Sequence, residues 1–192
     1  MHCIAFSPDN SKIVYGRNCF IIIADAITGK RLNEISLFQA RFFSVDFSPD
    51  CLKIISSSSR NIMVWDVITG KEILKITDCD YVESVKFLSD GKKIVSLGSY
   101  YIKIWNATTG KLIETLCSQR RIKSIMFSYD NLEIVCFCDN GDIDIWDIET
   151  YQMIKTIESE NRRAAYIALC DPVSNVLNKK LMACLDNLDS SD

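Results

Sequence analysis

Nine cysteines, a single histidine and a regular series of acids are the residues of this chain with the capacity for chemistry. Ser or Cys nucleophiles normally need a positioned base, most often His. His2 stands at the N-terminus with no evident partner, so it reads as incidental. The cysteines fall at 3, 19, 51, 79, 117, 136, 138, 170 and 184, with no C-x-x-C among them. Cys136 and Cys138 share one face of an apparent strand, but no second pair or nearby His completes a zinc site. Scattered and odd in number, the cysteines read as reduced, small core residues, in keeping with a cytoplasmic or nuclear protein. No G-x-G-x-x-G or P-loop run is present, and Gly91-Lys92 and Gly110-Lys111 fall in hairpins. The sequence is expected to be neither enzyme nor cofactor or metal binder.

Composition sets further bounds. The 192 residues are 48% hydrophobic and 24% charged, with net charge −3. That balance suits a globular protein with a core and disfavours general electrostatic binding of nucleic acid. The longest apolar stretch, Cys19 to Ala24, is far too short for a bilayer span, and no signal-peptide pattern opens the chain.

The acids belong to a repeat. Phe6-Ser7-Pro8-Asp9 returns as Phe47-Ser48-Pro49-Asp50, Phe87-Leu88-Ser89-Asp90 and Phe127-Ser128-Tyr129-Asp130. A second marker keeps step: Asp25-Ala-Ile-Thr-Gly-Lys30, Asp66-Val-Ile-Thr-Gly-Lys71, Asn106-Ala-Thr-Thr-Gly-Lys111, and a worn copy from Asp147. Each repeat holds four short Ile/Val/Phe-rich runs, in the second roughly 42–48, 52–57, 61–67 and 71–77, separated by turn residues. The third run is apolar on both faces (Val64-Trp65, Ile104-Trp105, Ile145-Trp146), so it needs a neighbouring sheet on each side. An all-β β-propeller of four-stranded antiparallel blades meets that need. The repeats run approximately 1–41, 42–81, 82–121 and 122–163, with a partial one at 164–192. That is about four and a half blades of a single domain, an open or incomplete ring.

These motifs resemble the WD-repeat family. Trp65-Asp66 and Trp146-Asp147 match its dipeptide, Trp105-Asn106 nearly does, and Ala24-Asp25 keeps the acid. Two departures stand out. The family's Gly-His positions hold Leu37-Phe38, Thr77-Asp78 and Cys117-Ser118, and its turn Asp is replaced by Ser59, Ser99 and Asn140. The family's buried Trp-Ser-His-Asp hydrogen-bond network is therefore not expected, leaving stability to apolar packing.

The resemblance implies a protein-interaction scaffold. Loops joining fourth to first and second to third strands gather at one end, and a rigid scaffold displays function in loops. They carry Arg41, Phe42, Arg60, Tyr81, Tyr100, Tyr101, Arg120, Arg121, Arg162 and Arg163, residue types that dominate interfaces. Arg pairs bidentately with carboxylate and phosphate, so acidic or phosphorylated protein segments are the expected partners. Self-association, or completion of the ring by another chain, is a further expectation. The alternatives are a surface binder of phosphoinositide or nucleic acid through these arginines, and a fragment of a larger propeller. Arg120-Arg121 resembles the Arg-Arg core of the Phe-Arg-Arg-Gly motif of phosphoinositide-binding propellers, with Gln119 and Ile122 in place of its outer residues.

Overall fold

The computed structural model describes residues 3–17, 19–36, 42–78, 80–128 and 132–158. Among these residues, sixteen strands fall into consecutive quartets. The first is β1 (Ile4–Phe6), β2 (Lys12–Arg17), β3 (Phe20–Asp25) and β4 (Arg31–Ser36). The second is β5 (Ser44–Phe47), β6 (Lys53–Ser58), β7 (Asn61–Asp66) and β8 (Glu72–Thr77). The third is β9 (Ser84–Phe87), β10 (Lys93–Leu97), β11 (Tyr101–Asn106) and β12 (Leu112–Cys117). The fourth is β13 (Ile122–Phe127), β14 (Glu133–Cys138), β15 (Ile143–Asp147) and β16 (Met153–Ile157). Each quartet is one antiparallel sheet with strands paired in chain order. The partial repeat expected at 164–192 lies outside the described residues. The chain divides into two compact units, Met1–Thr115 and Leu116–Asp192.

Turn chemistry sets the sheet edges. In the second repeat Ser48 Oγ donates to Asp50 Oδ1 (2.5 Å) and accepts from Lys53 N (2.9 Å), closing the hairpin between β5 and β6. The acid of the WD pair caps the next hairpin: Asp66 Oδ1 accepts Thr69 N at 2.7 Å and Thr69 Oγ1 at 2.8 Å. Gly29, Gly70 and Gly110 follow at φ of 68°, 67° and 70°, a backbone region that costs glycine nothing. In the fourth repeat Tyr151 takes that position at φ 60°.

Alternation along the third strand explains why both its faces are apolar. Within the first unit, Met63 and Trp65 turn back onto Val14, Ile21, Ile23 and Ile35 of the first sheet. Their neighbours Ile62 and Val64 turn forward onto Val85, Phe87, Ile94 and Trp105 of the third. Fully burying one such side chain contributes roughly 1.5–3 kcal/mol. In the second unit Val135, Phe137, Ile143 and Ile145 form a cluster with Met126 and Ile157 against it. On the first sheet, Ile4 and Phe6 are 64% and 61% exposed, whereas their counterparts Val45 and Phe47 are buried.

The cysteines are more varied than the sequence suggests. Cys136 and Cys138 are buried, Cys3, Cys19 and Cys51 are partly buried, and Cys117 is exposed. Cys117 ends β12, an outer edge strand, where alternation turns it to solvent.

Candidate functional site

The tryptophans organise the polar part of each repeat. Trp65 pairs with Ile54 and Trp105 with Ile94, which sets Ser56 opposite Met63 and Ser96 opposite Lys103. Trp65 Nε1 donates to Ser56 Oγ at 3.0 Å, and Trp105 Nε1 to Ser96 Oγ at 2.8 Å. The four-residue Trp-Ser-His-Asp network is absent, its His and turn Asp positions being replaced, but its Trp-Ser link forms twice, so stability does not rest on apolar packing alone. In the fourth sheet Trp146 pairs with Ile134 and Cys136 stands opposite Asp144. A thiol replaces the serine there, and Trp146 Nε1 is buried without a partner. Sulfur is a weak acceptor, so the indole N–H is left unsatisfied.

Ion pairs occupy the rest of the network. Lys103 Nζ lies 2.5 Å from Asp78 Oδ1 and 2.6 Å from Asp80 Oδ2. It also sits 6.0 Å from the centroid of the Trp105 ring, within cation–π range. Burial works to lower the Lys103 pKa, but hydrogen bonds and charge from Asp78 and Asp80 outweigh it, and the net displacement is upward. The side chains of Lys103 and Asp78 are 12% and 4% exposed, so this is a buried pair, with Asp80 at its rim.

The same two carboxylates belong to the loop before β9, and backbone bonds fasten that loop further. Asp78 N donates to Arg60 O, Val82 N to Ser59 O and Glu83 N to Leu97 O, at 2.7–2.8 Å. Ser99 Oγ reaches Glu83 Oε1 at 3.0 Å. Tyr81 is held half-exposed on this loop, its ring 5.0 Å from that of Phe43 at 55°. Asp78, Asp80, Tyr81, Ser96, Gly98, Tyr101 and Lys103 line one shallow recess. The first unit thus brings Tyr81 and Tyr101 together at one recess. Tyr100 stands exposed in the turn before Tyr101, and Arg60 is exposed on the turn whose carbonyl anchors Asp78.

Other expected loop residues fall elsewhere. Phe42 is not a surface residue: it is buried with Val14, Val45 and Phe47, because the short link into β5 turns its ring inward. Arg41, Arg162 and Arg163 lie outside the described residues. In the second unit Arg121 is exposed, while Arg120 is drawn in. Arg120 Nε is 2.9 Å from Asp142 Oδ2, and its guanidinium is 3.4 Å from Asp144 Oδ1. Asp144 also accepts from Thr156 Oγ1 (2.8 Å), Ser118 Oγ (3.1 Å) and Cys138 Sγ (3.5 Å). Burial first, then the Asp144 charge, pushes the Cys138 thiol up to about 12, so it carries no thiolate reactivity.

Neither Lys103 nor Asp144 stands out in the sequence as a site residue. The signal was present as one charged residue inside each otherwise apolar run, between Ile102 and Ile104 and between Ile143 and Ile145. The WD-position acids Asp66 and Asp147, with Asn106 between them in the chain, serve as turn caps. The described residues contain no group of three or more His, Cys, Asp or Glu placed to hold a metal, and no helix long and apolar enough to cross a membrane.

Repeated four-stranded antiparallel sheets with capped turns define the class: the described residues form an array of β-propeller blades. Residues 35–66 match the family model described as WD domain, G-beta repeat. Among solved structures, Kuenenia stuttgartiensis hydrazine synthase is similar over 80% of this chain and 47% of its own, with TM-score 0.74 and 19% identity. The Cps50 (Swd1) β-propeller domain of Myceliophteria thermophila is similar over 82% of this chain and 54% of its own, with TM-score 0.73 and 15% identity. The chain therefore spans about half the length of each structure it resembles, and at these identities the likeness is one of fold. No curated protein matches the sequence.

Proposed function

We propose that the chain is a non-catalytic protein-interaction scaffold that presents the loop end of its first unit to a polypeptide partner. One observation carries the reading. Tyr81, Tyr100 and Tyr101 are 39–48% exposed: Tyr81 on the loop that the Lys103–Asp78–Asp80 ion pairs hold in place, Tyr100 in the turn before β11 that the Gly98 N to Tyr101 O bond closes, and Tyr101 at the start of β11. Tyrosines supply large contact area with little rotamer entropy to lose, and loops already ordered avoid the cost of ordering on binding. Arg60 beside them suits a partner with acidic or phosphorylated side chains.

The alternative of an anion-binding surface built on Arg120-Arg121 draws no support from Arg120, whose guanidinium already serves Asp142 and Asp144. The exposed Ile4 and Phe6 support a second contact, self-association through β1, which Phe6→Ser is expected to weaken in solution-mass measurements.

The test is site-specific photocrosslinking in the full chain. A crosslinker at Tyr100 is expected to capture a discrete polypeptide, and Tyr81→Ser or Tyr101→Ser to abolish that capture. Equal capture from Thr108, at the other end of the same sheet, would overturn the assignment.

A further inference from the structure

We propose that the opposite end of the first unit docks on an anionic lipid surface, with Ile27 and Ile68 as inserting side chains and Lys30 and Lys71 beside them. The two isoleucines are 91% and 80% exposed, and they occupy the same place in successive repeats, at the tip of the turn after the third strand. Isolated exposed apolar residues are ordinary on protein surfaces; a recurring pair at protruding tips is less so.

The turn itself does not call for isoleucine. Asp25 Oδ1 accepts Ile27 N at 3.2 Å and Thr28 N at 2.7 Å, and Asp66 does the same for Ile68 N at 3.1 Å and Thr69 N at 2.7 Å. The third repeat forms the same turn with Thr108 at the tip, its amide 3.0 Å from Asn106 Oδ1. Backbone bonds build the turn, and the side chain at its tip is free to serve another purpose.

The two tips belong to one surface. Asn33 Nδ2, on β4, donates to the carbonyls of Val67 (3.2 Å) and Ile68 (3.0 Å), fastening the first sheet to the turn of the second. Val67 N donates to Leu52 O at 3.0 Å, which brings Leu52, itself exposed, alongside the second tip.

Shape and charge choose the occupant. An apolar side chain standing out on a convex tip gains little from a flat protein surface without a matching pocket, whereas the acyl boundary of a bilayer deforms around it. Lys30 and Lys71 are exposed directly after each turn glycine, while Asp25 and Asp66 are turned onto their own backbone amides. Apolar insertion and basic attraction to anionic headgroups reinforce each other, and each alone is weak.

Co-sedimentation of the full chain with vesicles of phosphatidylcholine, with and without phosphatidylserine, tests this. The chain is expected to sediment with the phosphatidylserine vesicles and far less with phosphatidylcholine alone. Ile27→Thr with Ile68→Thr copies the third repeat's turn, so it keeps the fold, and it should weaken vesicle binding roughly tenfold, the equivalent of about 1.4 kcal/mol. Lys30→Gln with Lys71→Gln should remove much of the salt dependence. No sedimentation with phosphatidylserine vesicles, or binding unchanged in the threonine variant, overturns the proposal. So does a threonine variant that alters only the chain's mass in solution, which would make the tips a protein contact.

Discussion

Lys103 and Asp144 hold the same register in successive repeats and carry opposite charges. Each lies two residues before its tryptophan, and each stands opposite the residue at the serine place, Ser96 or Cys136. Their partners are exchanged to match. Lys103 takes Asp78 and Asp80 from the loop before β9; Asp144 takes Arg120, with Ser118, from the loop before β13. The third and fourth repeats thus fasten their incoming loops with ion pairs, and the sign of the pair is interchangeable.

Removing one partner exposes what the latch contributes. Lys103→Met copies Met63 of the preceding repeat but leaves Asp78 buried without its cation, and is expected to cost about 3 kcal/mol. Lys103→Asp combined with Asp78→Ser and Asp80→Arg rebuilds the fourth repeat's arrangement and should recover most of that loss. Urea unfolding of the two variants against wild type measures both effects. A Met variant as stable as wild type would show that the pair is worth nothing.

The fourth repeat offers the converse experiment. Trp146 Nε1 is buried without a partner because Cys136 holds the place of Ser56 and Ser96. Cys136→Ser is expected to supply the missing acceptor and stabilise the chain by about 1 kcal/mol. An unfolding midpoint that falls, in place of rising, would mean the hydroxyl does not reach the indole.

Trp105 combines packing with this bond. It is buried against Ile55, Ile62 and Val64, and its indole N–H is satisfied by Ser96. Trp105→Ala should destabilise by about 3–5 kcal/mol, the usual cost of deleting a large buried aromatic. An unfolding curve that overlays wild type would contradict the packing between second and third sheets.

Much of this was legible in the sequence. The spacing of Phe47-Ser48-Pro49-Asp50 and Trp65-Asp66 located the strands, since turn residues and alternating apolar runs are local signals. The runs expected at 52–57 and 61–67 became Lys53–Ser58 and Asn61–Asp66, shifts of a residue. The polar interior was not legible in the same way. Matching Gly-His and turn-Asp positions one by one suggested that no network remained, yet Lys103 and Asp144 reach carboxylates and guanidinium from a different strand position. Tertiary partners more than twenty residues away decide that pairing. Phe42 was misplaced for a related reason: the short segment between Phe42 and β5 gives no periodicity by which to tell inward from outward.

Acid provides a test of the turn caps. Asp25, Asp66 and Asp147 are held below the ordinary carboxylate range, chiefly by the backbone and side-chain hydrogen bonds of Thr28, Thr69 and Thr150. A carboxylate depressed in the folded state contributes in full above its unfolded pKa of about 4, and the contribution is lost as pH falls through the folded value. Thermal stability should therefore decline as pH drops below about 4. Asn106 caps the third turn without charge, with Thr109 N at 2.8 Å from its Oδ1. Accordingly, replacing Asp25, Asp66 and Asp147 together by Asn should flatten the acid limb. An acid limb identical to wild type would remove these caps from the account.

Crosslinking from Tyr100 in three forms of the full chain tests most directly whether the Lys103 latch holds a partner-binding surface in place. Wild type should capture its polypeptide partner, Lys103→Met should lose the capture while its strands persist by circular dichroism, and the charge-exchanged triple variant should regain it. Capture by the Met variant at the wild-type level would contradict the account, because the surface would then be indifferent to the loop that carries Tyr81.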